Sequence, residues 1–137
     1  MATEDSNRQL VATAMSALAD GDGGPFVALM ADDFDWILEG STAWSGTYRG
    51  KSAVRSQLLG PLFAQFASRY RNHAERILCD GDHVVVLCRG DVETRSGKRY
   101  DNSYCYVIRM RDGKMIELRE YLDTALVEAA LEPPGRP

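Results

Sequence analysis

The feature that most constrains this chain is a change of hydrophobic period about halfway along it. Up to Ala67 apolar residues recur at helical steps, and from Tyr70 onward they alternate as in strands. Ser6 followed by Gln9 is a capping-box signature, after which Leu10, Val11, Ala14, Met15 and Leu18 form one helical stripe that Gly21 can end. Pro25 suits the first turn of a short second helix carrying Phe26, Val27, Leu29 and Met30, closed by Asp32-Asp33. Phe34 to Glu39 reads as a strand, the Ser-, Gly- and Thr-rich stretch Gly40 to Gly50 as a loop, and Lys51 to about Ala67 as a third helix that Pro61 should kink. Four long strands follow: Arg71 to Cys79, His83 to Glu93, Arg99 to Arg111 and Lys114 to Asp123. Gly81, Gly97 and Gly113 sit in the turns between them, which favours consecutive antiparallel hairpins.

The expected architecture is therefore an α+β domain, three N-terminal helices against a strongly curved, mainly antiparallel sheet that can enclose a pocket. A length of 137 residues suits one such domain spanning the chain, with 1–5 and 132–137 as frayed tails. Twenty acidic residues against sixteen basic ones, with no basic run, argue against nucleic acid and against an anionic membrane surface. Strictly apolar runs such as Val84 to Cys88 are far too short to span a bilayer, and the acidic start MATEDSNRQ is unlike a signal peptide, so a cytoplasmic protein is expected. Cys79, Cys88 and Cys105 make no CxxC, and His73 and His83 fall in no ligand spacing, so neither a metal nor a cofactor is expected and the cysteines read as buried free thiols.

Alternation along the strands picks out polar intruders in apolar rows. On the last strand Ile116, Leu118, Glu120 and Leu122 share a face, and Glu120 is its lone charge. A carboxylate there needs a cationic partner, a proton or a wet cavity mouth. On the second long strand Val85, Leu87, Arg89 and Asp91 share one face and Val84, Val86, Cys88 and Gly90 the other; Arg89 and Asp91 make either an ion pair beside the pocket or an ordinary salt bridge at the sheet's end. Asn102, Tyr104 and Tyr106 form a stripe able to orient a ligand, with Trp36, Leu38, Leu62, Phe63, Phe66, Leu118 and Leu122 as apolar lining.

Asp20-Gly21-Asp22, Met30-Ala31-Asp32-Asp33-Phe34, Tyr48-Arg49-Gly50-Lys51-Ser52-Ala53-Val54, Asp112-Gly113-Lys114 and Glu120-Tyr121-Leu122-Asp123, in this order, resemble the SnoaL-like branch of the nuclear transport factor 2 (NTF2) superfamily over residues 8–131. The resemblance implies a cone-shaped, cystatin-like fold that hosts isomerases, cyclases, epoxide hydrolases, dehydratases and binders. Limonene epoxide hydrolase uses an Arg-x-Asp pair on a central strand and an Asp on the last one; Arg89 and Asp91 match the pair, and Glu120 falls at the last position. Its water-holding Tyr and Asn fall at Trp36 and Leu38, and the steroid isomerases' base and helix-one Tyr fall near Leu38 and Ala14, so those routes lack their groups. The leading expectation is an enzyme in which Glu120 and Asp91, bridged by Arg89, do general acid-base work of isomerase, cyclase or epoxide-hydrolase type on a small apolar or polycyclic ligand carrying an oxygen function. The alternatives are a carrier of the same shape and a dimeric structural subunit. Homodimers are usual in the resembled family, and the face with Arg109, Arg111, Arg119 and Tyr121 is the candidate contact.

Overall fold

Thr3 starts the first helix, one turn earlier than Ser6 would. In the computed structural model, which describes residues 3–135, Thr3 Oγ1 accepts from the Ser6 amide at 3.1 Å and the Thr3 amide donates to Ser6 Oγ at 2.8 Å. This reciprocal box carries Glu4 and Asp5, expected in a frayed tail, into α1 (Glu4–Ala19), where their charge suits the helix's positive end. Of the expected tails, 1–2 and 136–137 lie outside the described residues, and 132–135 form neither helix nor strand. α1 buries Val11, Ala14, Met15 and Leu18, and its packing partners are β3 (Arg71–Asp80) and β4 (His83–Asp91).

α2 (Gly24–Ala28) has Pro25 in its first turn, as predicted, but ends before Asp32-Asp33. The reason is tertiary: Met30 already pairs with Met115, so the chain extends from there as β1 (Met30–Leu38). The predicted loop contains a short strand, β2 (Gly46–Arg49), antiparallel to β1. The predicted third helix is three pieces: α3 (Lys51–Ala53), a π-helical stretch (Val54–Leu59) and α4 (Gly60–Phe63). Pro61 has no N–H to give a preceding turn, so it opens α4 instead of kinking one continuous helix, and the wider π turn takes up the break.

The six strands lie in the order β2-β1-β6-β5-β4-β3, with β5 (Ser103–Arg111) and β6 (Lys114–Leu122) completing the sheet. β1 runs parallel to β6 and every other neighbouring pair is antiparallel. This register sets Trp36 beside Leu118 and Leu38 beside Glu120, while Tyr106 flanks Glu120 from β5. Residues far apart in sequence thus meet on one concave face. A bulge at Arg109/Met110 turns Met115 inward and leaves Ile116 half-buried, which breaks the predicted Ile116-to-Leu122 row at its start. After β6, Asp123 Oδ1 accepts from the amides of Ala125 and Leu126 and caps α5 (Thr124–Ala130), a helix not anticipated. Of the thiols only Cys88 is buried; Cys79 is half-buried at the core's edge, its thiol donating to the Glu4 carbonyl at 3.7 Å, and Cys105 is half-buried on the strand face turned away from the core.

Candidate active site

The sheet's concave face forms one wall of a cavity. Trp36 and Leu38 enter it from β1, Asn72 from β3, Tyr104 and Tyr106 from β5 and Glu120 from β6. Phe26 and Val27 of α2 close one side, Leu58, Leu59, Leu62 and Phe63 of the broken helix another, and Val127 with Leu131 the α5 end. Its volume is about 70 Å³ counted as space for the centres of water-sized spheres, where one water needs roughly 10–15 Å³. That holds several waters or a compact ligand of one or two rings.

Among the described residues Glu120 is the only charged side chain in the wall, and it is 5% exposed. Trp36 Nε1 donates to its Oε1 at 2.7 Å, and its Oε2 has no donor among the described residues. Burial raises the carboxyl from its ordinary 4.5 to about 7, and the indole bond opposes part of that rise. The group therefore holds and releases a proton near neutrality. Around it stand hydroxyls of Tyr70, Tyr100, Tyr104 and Tyr106, each pushed by burial above the usual phenol range and so kept protonated as donors. Asn72 Nδ2 donates to the hydroxyls of Tyr70 at 3.0 Å and Tyr106 at 3.2 Å.

Of the residues predicted from sequence, Trp36, Leu38, Leu62, Phe63, Tyr104, Tyr106 and Glu120 line this cavity. Phe66, Asn102, Leu118 and Leu122 do not. Phe66 stacks behind the wall on Tyr70 and Tyr100, and Leu118 is wholly enclosed in the core. Asn102 faces the Asp123 backbone, donating to its carbonyl at 3.1 Å and accepting from its amide at 3.0 Å, and Leu122 is half-buried past the cavity's end.

The expected Arg89–Asp91–Glu120 network is not formed. Arg89 is exposed, and Asp91 bonds Arg99 on the convex side with His73 at 3.8 Å. The β4 alternation separates two sets of residues, but both begin apolar, and the set facing the cavity side is Val84, Val86, Cys88 and Gly90. Tyr70, Asn72, Tyr100 and Trp44 were missed. Tyr70 sits just before its strand, Asn72 lies in a strand whose sequence shows no clean alternation, and Tyr100, three residues ahead of β5, shares the parity of the Asn102, Tyr104 and Tyr106 stripe that could have found it. Tyr70 and Asn72 do share parity, the one signal that could have paired them.

The likeness of the chain to known proteins settles the family. Residues 11–118, more than half the chain, match the SnoaL-like domain. The chain belongs to the SnoaL-like family. It is 27% identical over 128 residues to the uncharacterized protein Rv0034 of Mycobacterium tuberculosis, covering 93% of this chain and 97% of that one. An NTF2-like protein from Burkholderia thailandensis E264 shares 25% identity with a TM-score of 0.79, over 97% and 100% of the two chains. TerC, crystallised with polyporic acid, matches with a TM-score of 0.76 at 20% identity over 90% and 96%, a likeness of fold. The NTF2-like, α+β cone expected from the sequence is thus the fold of this SnoaL-like chain. Among its described residues no group of three or more His, Cys, Asp or Glu is placed to hold a metal ion, and no helix is long and apolar enough to cross a membrane.

Proposed function

We propose that this SnoaL-like protein is a small-molecule enzyme in which Glu120 moves a proton to and from a compact, mainly apolar ligand bearing a polar function. The observation that carries this is one carboxyl group, poised near neutrality, with an unoccupied oxygen in an aromatic cavity. A group matched to the working pH accelerates proton transfer by roughly 10²–10⁴-fold. Tyr104 and Tyr106 supply O–H donors to a ligand oxygen, and Trp36 fixes the carboxyl's orientation. Isomerisation and cyclisation need only such a shuttle. Water attack on an epoxide through Arg89 and Asp91 drops out, because both side chains lie on the convex side.

The test begins with mass spectrometry of small molecules released from freshly purified protein, followed by incubation of the identified ligand with the protein. Conversion that falls by about 10²-fold or more in Glu120→Gln, with binding retained, supports the reading. A ligand that returns chemically intact and binds the variant equally well makes the protein a carrier instead.

A further inference from the structure

Beside the tyrosine O–H donors, this cavity leaves acceptors open. Glu120 Oε2 has no donor among the described residues, and Asn72 Oδ1 is buried with no partner, its own amide N–H groups being given to Tyr70 and Tyr106. The charge is one-sided as well. No Lys, Arg or His stands among the described lining residues, and Glu120 is the only acid. The other titratable groups whose titration Glu120 influences are Tyr48, Tyr70, Cys88, Tyr100, Tyr104 and Tyr106. Burial pushes all of them upward, so they stay neutral around pH 7 and leave Glu120 as the sole source of charge. The rest of the wall is rich in rings, with Phe26, Trp36, Trp44 and Phe63 beside the tyrosines. Aromatic faces carry negative potential and attract organic cations.

An anion would meet Glu120 and no cationic partner, and a ketone or ether could take a tyrosine O–H but would leave the Glu120 carboxylate without a counter-charge. An ammonium group supplies that counter-charge, and it also brings N–H donors and affinity for ring faces. Building on the reading of the cavity as a ligand site, we propose that its ligand is a compact lipophilic amine bound in protonated form, its ammonium N–H directed to Glu120 Oε2 and its hydrocarbon part seated among the aromatic rings. No bond forms or breaks on binding. Where Glu120 is protonated beforehand, its proton leaves to buffer as the ion pair forms.

Calorimetric titration with three probes of one shape, benzylamine, benzyl alcohol and benzoate, tests the assignment at about pH 8, where Glu120 is mostly ionised. Benzylammonium should bind at least ~10-fold more tightly than benzyl alcohol, and benzoate should bind least. The permanently charged benzyltrimethylammonium isolates the protein's own titration, and its affinity should rise ~10-fold between about pH 6 and pH 8 while that of benzyl alcohol stays level. Glu120→Gln should erase both the preference and the pH dependence; should that variant fail to fold, the fixed-charge titration of the unaltered protein decides alone. Benzyl alcohol or benzoate binding as tightly as the amine, or a fixed-charge probe indifferent to pH, overturns the amine and leaves the cavity a ligand site. If none of the probes binds at millimolar concentration, the ligand-site reading falls with it.

Discussion

The carboxyl at residue 120 holds its proton more tightly in the folded chain than the same group would in water, which links stability to pH at a single position. Its ordinary value is 4.5 and its folded value about 7, so between these the native state binds a proton that the unfolded chain has released. The contribution is complete below about 4.5 and is lost as pH rises through 7, a difference of about 3 kcal/mol. Urea unfolding at a series of pH values should therefore show the unaltered protein losing stability across that window relative to Glu120→Gln, whose residue 120 does not titrate. A gain across the window would contradict the buried carboxyl. Trp36→Phe removes the indole donor while keeping a ring, so above pH 7 it leaves an ionised Glu120 unbonded, and the variant should lose about 1–3 kcal/mol there and much less at pH 5. Glu120 was legible in sequence because one charge interrupts an apolar row. Asn72 was not, since Arg71, His73, Glu75 and Arg76 surround it with charge and hide which face is buried. Arg89 and Asp91 misled for the opposite reason, because apolar residues begin both faces of their strand.

At the scale of elements, local chemistry wrote the hairpins plainly, with Gly81 at φ 59° and Gly113 at φ 76° in turns that ordinary residues seldom adopt. The elements that were missed take their partners from elsewhere in the chain. β2 is four residues of Gly, Thr, Tyr and Arg that pair only because β1 presents an edge, and α5 depends on a cap supplied by Asp123 and on docking over the cavity. That docking hangs on Asn102, which is fully buried and brackets Asp123 with one bond to its carbonyl and one from its amide. Asn102→Ala leaves a buried donor and acceptor without partners and should cost about 2–4 kcal/mol in denaturant unfolding. Because Val127 and Leu131 form the cavity's end, hydrogen exchange in the variant should speed up over Thr124–Ala130 before it does in β5. Equal acceleration in both would mean that Asn102 supports the whole sheet and not the seat of α5.

For the whole molecule, the sheet's convex face is the larger open question of chemistry. Two adjacent rows cross it: Leu78, Val85, Val107, Arg119 and Ile37, then Leu87, Cys105 and Tyr121. Leu78, Leu87 and Tyr121 are 41%, 38% and 48% exposed, so a largely apolar band lies uncovered by any described helix. The arginines first credited with the contact are already engaged within the chain, Arg109 with Asp82, Arg111 with Asp33 and Arg119 with Glu39. Arg89 on the β4 side and Glu117 on the β6 side have no ion-pair partner among the described residues, and they flank the band with opposite charge. A second copy related by a two-fold axis through the band would bury the apolar rows and set Arg89 against Glu117, the apolar centre and charged rim of a homodimer contact. Sedimentation velocity should accordingly give a dimer for the unaltered protein and a monomer for Leu87→Glu, whose charge falls in the middle of the band but outside the core, so that its unfolding free energy stays within about 0.5 kcal/mol of the parent's at dilutions where the parent has dissociated. A monomer before substitution would leave the band without its second copy, and a dimer that survives Leu87→Glu would move the contact to another face.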